Sequence, residues 1–268
     1  MGKATRVICG LGLVLLLAGA AGARDVPASD DYGKVIIANF SAAAGLAPVR
    51  FDHWLHRAFF TCRLCHVDIG FAMEAKATKI TADMNAKGFY CGSCHNGTMV
   101  HNGKKIFPSC TPSNAPPSEQ PECLRCHSVG MKDQRKYTYA SFTATLPRQA
   151  LGNLVDWEEA EAWGLIRPAD FLPGLSTPRR PLGAQADFSI TSKGFWMADI
   201  IFSHKKHAQW NGCEVCHPDI FPSVKKGTVK YTMFEIADGQ YCGLCHDRVA
   251  FPLNDCGKCH TGKAHPRP

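Results

Sequence analysis

The strongest constraint on this chain is a five-residue pattern, Cys-x-x-Cys-His, that occurs six times in 268 residues. The copies are Cys62, Cys65 and His66; Cys91, Cys94 and His95; Cys123, Cys126 and His127; Cys213, Cys216 and His217; Cys242, Cys245 and His246; and Cys256, Cys259 and His260. Together they use most of the 14 cysteines and half of the 12 histidines. At such abundances chance supplies roughly 0.03 copies. The spacing has a chemical reason: two thiols three positions apart can add to the two vinyl groups of one porphyrin, and the next residue presents an imidazole to its iron. A disulfide framework gives no reason for a His after every second Cys. Zinc sites built from Cys-x-x-Cys pairs do not require one there either. Six covalently attached haem c groups are therefore expected.

That expectation limits the fold. Six macrocycles leave roughly 41 residues each, too few to bury every one in its own polypeptide core. The haems must themselves form much of the core, close to one another, within a mostly irregular chain of short helices and little strand. The chain opens with an address: Lys3 and Arg6 precede an apolar run over 7–18, and Ala21, Gly22 and Ala23 form a small-residue cleavage pattern. Residues 1–23 read as a signal peptide that removes Cys9. The apolar run is shorter than the ~20 residues of a spanning helix, and no comparable run follows. The mature chain is expected to be soluble, without a stable membrane span, and exported to the periplasm, with the cell surface as the alternative. Cys110 is the one mature cysteine outside the motifs; a free thiol is expected, with an intermolecular bridge as the alternative.

An internal repeat organises the rest. Phe51, His53 and His56 precede the first motif, and Phe202, His204 and His207 precede the fourth, at an offset of 151 positions. The offset persists through Lys79 and Lys230, Thr81 and Thr232, Gly88 and Gly239, and Tyr90 and Tyr241. We read an N-terminal segment at 24–49, a first three-motif module at 50–128, a motif-free connecting segment at 129–200 and a second module at 201–268. The first module carries an insertion with the polar, Pro-rich stretch 111–118, which reads as an exposed loop. In the connecting segment, Asn153 or Asp156 is placed to cap a short helix ending at Gly164. Pro173, Pro178 and Pro181 with Arg179 and Arg180 read as an extended stretch. Trp157 and Trp163 are expected to pack against a neighbouring module.

Each iron receives one ligand from its motif and either needs a second or stays open. The non-motif histidines are His53, His56, His101, His204, His207 and His265. A His-x-x-His pair on one turn can send its imidazoles toward different irons, so His53, His56, His204 and His207 are the leading candidates. For the third iron of each module the sequence offers Met233 and, less cleanly, Met84; thioether ligation would raise the potential, while packing alone is the alternative role for either methionine.

The order Phe-x-His-x-x-His, a motif, a Thr-Met turn, Gly-x-Tyr-Cys-Gly-x-Cys-His and a closing motif resembles the trihaem cytochrome c7 family, within the cytochrome c3 superfamily, and in particular its tandem-module polymers. The likeness runs from Phe202 to His260, through Tyr231, Thr232, Met233, Gly239, Tyr241 and Gly243, and from Phe51 to His95 with a resumption at Cys123 to His127. The resemblance implies that His53 and His204 bind the iron of the nearest motif, that His56 and His207 bind the middle one, and that Met233 ligates the third iron of the second module. The first module departs from it: Ala82 stands where Met233 would correspond. Met84 lies two positions on, a rotation of about 200° on a helix. Met84, Met99, His101 or an open site remain the alternatives there.

The formal charge of +7 suggests an anionic partner until the cofactors are counted. Loss of the leader with Lys3 and Arg6, and six haems with their propionates, bring the net charge to about −1 oxidised and about −7 reduced. A nucleic-acid partner is not expected. The expected function is electron transfer along closely spaced haems, with no catalytic residues. The expected partners are other redox proteins of an anaerobic-type respiratory chain, a membrane-bound quinol-linked complex among them; association of copies into oligomers or filaments is left open. The alternative is a multihaem reductase with one open-coordinate haem acting on a small substrate.

Overall fold

The structure is a computed structural model that describes residues 28–110, 121–131, 138–180, 183, 185–192, 197–222 and 225–264. The segment read as a signal peptide, the loop at 111–118, Pro181 and His265 lie outside the described residues.

The elements are short, as expected. In chain order they are β1 (Lys34–Ile37), β2 (Val49–Asp52), α1 (His53–Arg57), α2 (Ala82–Ala86), β3 (Val100–His101), β4 (Lys104–Lys105), α3 (Pro121–Leu124), α4 (Tyr139–Thr143), α5 (Trp157–Ala162), β5 (Phe188–Ile190), β6 (Ile200–Phe202), α6 (His204–Asn211), α7 (Met233–Ala237) and α8 (Cys256–Cys259). Single 3-10 turns cover Ala42–Ala44, Tyr90–Ser93 and Tyr241–Leu244, and one π-type turn covers Leu64–Asp68. The strands form three two-stranded antiparallel ribbons rather than one sheet.

The sequence repeat is a structural repeat. A ribbon, β1 with β2 or β5 with β6, feeds directly into the helix that begins with the His-x-x-His pair. Thr81 and Thr232 then cap α2 and α7, each accepting a hydrogen bond from the backbone N–H three residues on. In α7 the capping box is complete through Glu235. Gly88 and Gly239 follow each helix with φ of +87° and +92°, the left-handed conformation that glycine adopts at little cost. The chain then reverses into the 3-10 turn holding the middle motif. Gly92 and Gly243 lie so near the preceding helix that a Cβ would fall 1.9 Å from the Asn85 carbonyl oxygen and 1.8 Å from that of Ile236. The Gly-x-Tyr-Cys-Gly pattern is thus the imprint of a backbone crossing.

The polypeptide core lies beside the motifs, not around them. Trp54 of α1 and Ala58, which caps its end, pack with Leu146, Val155, Trp157, Ala160 and Ile166 of the connecting segment. Asp156 caps α5 by accepting from the Glu159 N–H at 3.0 Å, and Asn153 instead accepts from the Trp157 indole at 3.1 Å. Trp157 packs as expected. Trp163 does not: it is 64% exposed, because it caps the end of α5 and the chain turns back at Gly164 with φ +70°, which places its ring outside the layer that Trp157 and Ala160 bury.

Candidate haem-binding centres

The motif histidines share one hydrogen-bonding scheme. The Nδ1 of His66, His217 and His246 lies 2.9, 2.6 and 3.1 Å from the carbonyl oxygens of Phe71, Phe221 and Phe251, which follow each motif by four or five residues. His95 reaches Phe107 O at 3.3 Å. His127 and His260 reach back to Ala47 and Ala198, at 2.7 and 2.6 Å, two positions again related by the offset. Because a carbonyl only accepts, each ring donates from Nδ1 and keeps the Nε2 lone pair for a metal. The same holds for three non-motif rings: His53 donates to Gly33 O at 2.9 Å, His56 to Asp52 O at 3.1 Å and His207 to Ser203 O at 2.8 Å.

These rings face one another in pairs. The centroids of His53 and His66 are 6.4 Å apart with planes 4° from parallel. His56 and His95 stand 6.3 Å apart, as do His207 and His246. A metal–nitrogen distance of about 2.0 Å, with about 1.2 Å more from nitrogen to ring centre on each side, sets two trans imidazoles about 6.4 Å apart. The spacing therefore fits one iron between each pair. Among the described residues, no three His, Cys, Asp or Glu side chains converge on a common ion.

The electrostatics suit the same purpose. Burial lowers the pKa of His56 to about 4. Burial does the same for His53, His95 and His246, against a raising contribution from their carbonyl partners, so these rings stay neutral and able to ligate. Burial also pushes the Cys65, Cys91 and Cys245 thiols up to about 12. A thiolate would be costly in these positions, whereas a thioether formed to a vinyl carbon carries no charge. All thirteen described cysteines are free thiols, Cys110 among them; its sulfur lies 3.6 Å from the Asn85 amide.

Other expected ligands are placed differently. His204 lies 5.9 Å from Phe188 and 5.9 Å from Phe202, and among the described residues it makes no ring contact with His217. His53 is anchored by the Gly33 carbonyl, whereas in the second copy Asp187, which the ribbon register sets at the place of Lys34, accepts from the Ser203 hydroxyl and the Lys205 N–H. Met233 is the first residue of α7 and 52% exposed; Ala82 is the first residue of α2, and Met84, 37% exposed, is the third. His101 rests on Phe59 and Phe60 at 5.6 and 4.7 Å, with Nε2 buried and unpartnered among the described residues. The residues that sequence reasoning missed are those whose carbonyls accept from the motif histidines, above all Phe71, Phe221 and Phe251. Their signal was the recurrent Phe four or five positions after the motif histidine.

Among solved structures, the chain is similar to the C-terminal hexahaem fragment of the dodecahaem cytochrome c GSU1996, with 24% identity, a TM-score of 0.26, and coverage of 85% of this chain and 96% of that one. The N-terminal hexahaem fragment gives 24% identity, a TM-score of 0.25, and coverage of 86% and 99%. A search of curated proteins finds no match. The family profile described as "Cytochrome c7 and related cytochrome c" matches residues 49–128 and 200–261, which is over half of the chain and both copies of the repeat, and the chain belongs to that family.

Proposed function

We propose that this chain is an exported hexahaem electron carrier that passes electrons between redox proteins. The observation that carries the reading is the set of opposed imidazole pairs, each 6.3 to 6.4 Å apart and each ring held through Nδ1 by a backbone carbonyl. When bound, haem c supplies one-electron Fe(III)/Fe(II) exchange. The chain supplies the rest. Cys62 and Cys65, and their counterparts in the other five motifs, fix each group covalently. His53 with His66, His56 with His95, and His207 with His246 would hold the irons between them, leaving no position for a substrate at those three centres. For the second module, His204, which makes no ring contact with His217 among the described residues, and Met233 are the candidates that would hold the remaining groups with His217 and His260; Met84 lies too far round its helix to copy Met233. The carbonyls of Phe71, Phe107, Phe221, Phe251, Ala47 and Ala198 hold the proximal rings in one tautomer. Partners are redox proteins of a respiratory chain, a membrane-bound quinol-linked complex among them, and among the described residues no helix is long and apolar enough to cross a membrane.

Ala82 in the place of Met233 favours a second reading, in which the third centre of the first module keeps an open position and reduces a small substrate. Electron paramagnetic resonance and near-infrared spectra of the oxidised, haem-loaded protein, with iron counted per chain, distinguish the two. Six irons, all low-spin, with a thioether band from Met233, are expected for the carrier. One stoichiometric high-spin iron that binds added ligands would put the reductase in its place.

A further inference from the structure

The two copies meet through their leading motifs. Arg63, between the cysteines of the first motif, points Nε at Oε2 of Glu214, between the cysteines of the fourth, at 3.6 Å. Arg63 is buried and also holds Asp68 at 2.7 Å. Gly212, just ahead of the fourth motif, packs so tightly that a Cβ would lie 2.7 Å from Arg63 Cδ and 2.9 Å from an Arg179 nitrogen. Beside this contact the Arg57 guanidinium covers Trp157 at 4.8 Å and Trp210 at 5.5 Å, and the Trp210 indole donates to Glu161 at 2.7 Å.

A separate contact anchors His53, the ring that faces His66 of the first motif. The Gly33 carbonyl accepts from both the backbone N–H and Nδ1 of His53. Gly33 also lies against Arg248 and Val249, just after the fifth motif. Tyr32, 4% exposed, donates its hydroxyl to Ala250 O at 2.5 Å. The backbone that orients His53 in the first copy is thus itself packed on the second copy. The third motif behaves otherwise. Among the described residues its contacts stay within its own copy: Arg50 N–H to Cys126 O, His127 to Ala47, and Arg125 over Phe107.

From these contacts we infer that the modules are joined head to head, so that the crossing point between copies is the first motif against the fourth and fifth, and the third motif is left at a free end. Sequence order alone would join the third motif to the fourth. The consequence is a path that runs from the third motif through the second to the first, and only then into the second copy. Its crossing is a bare one-electron exchange, one iron oxidised as the other is reduced, with no proton and no co-reactant. The inference rests on the reading that every motif carries a haem, and the test separates the two.

The full-length, haem-loaded chain is counted for iron, reduced to its diamagnetic state, and examined for nuclear Overhauser cross-peaks between haem substituents, each haem being assigned through its own cysteine and histidine protons. Cross-peaks from the first-motif haem to those on the fourth or fifth are expected, with none from the third to the fourth. Six irons with third-to-fourth cross-peaks, or with none between copies, would overturn the head-to-head arrangement alone. Fewer than six irons, with the first or fourth motif empty, would overturn the haem reading on which it stands. As a second measurement, the Cys62→Ala/Cys65→Ala variant should lose electron equilibration between the copies while Cys123→Ala/Cys126→Ala retains it; the reverse result would also overturn the arrangement.

Discussion

Gly243 and Gly257 occupy the same place, the residue after the first cysteine, in the fifth and sixth motifs, yet alanine should have opposite effects at the two. At Gly243 the added Cβ would fall 1.8 Å from the Ile236 carbonyl oxygen and 2.9 Å from its carbon, where ordinary contact begins near 3.4 Å. The obstacle is the backbone of α7, pinned at its start by the Thr232 and Glu235 capping box, so no side-chain rotation relieves it. Tyr241 already holds φ +50°, which leaves its turn little room to swing away. The two segments would have to part by about 1.6 Å in a close-packed region. Overpacking typically costs about 1–3 kcal/mol, and a clash with fixed backbone belongs at about 3 kcal/mol or beyond. Gly257 lies inside α8 with nothing within 4 Å of its Cβ position, so alanine should gain about 0.5–1 kcal/mol from helix propensity. The assay is iron per chain together with the guanidinium midpoint read at the haem band. Gly257→Ala should keep six irons and an equal or higher midpoint; Gly243→Ala should lose the fifth haem or lower stability by about 3 kcal/mol. A Gly243→Ala protein with six irons and an unchanged midpoint would refute the reasoning, and Gly92→Ala, which meets Asn85 O at 1.9 Å, should repeat the result in the first copy.

Further outcomes follow from the same contacts. His207→Ala should convert one iron, that of the fifth motif, to a high-spin form seen by electron paramagnetic resonance, because the ring facing His246 at 6.3 Å is removed; an unchanged spin count would sink that pairing. Trp157→Ala should destabilise the protein by about 3–5 kcal/mol as a large buried aromatic is lost, whereas Trp163→Ala, 64% exposed, should stay within about 0.5 kcal/mol; denaturant titration compares the two.

What the sequence made legible is what the cofactor dictates locally. The six motifs, the His-x-x-His pairs and the Gly-x-Tyr-Cys-Gly imprint each depend on residues a few positions apart, so their spacing is written in order along the chain, and α5 with its Asp156 cap was legible for the same reason. The long-range contacts were not. That Trp54 of the first copy would find Val155 and Trp157 of the connecting segment, or that Tyr32 would reach Ala250, depends on separations of 100 residues and more, where no periodicity links the partners. The connecting segment thereby turns from a tether into the polypeptide core, because with the motifs given over to haem it holds much of the remaining apolar surface that can pack on itself. Its position against α1 and α6 explains why the leading motifs meet. Arg57 is covered by one tryptophan from the segment and one from the second copy, and Glu161 takes both the Trp210 indole and the Gln209 amide. A segment without a cofactor motif is thus the element that decides which motifs of the two copies stand face to face.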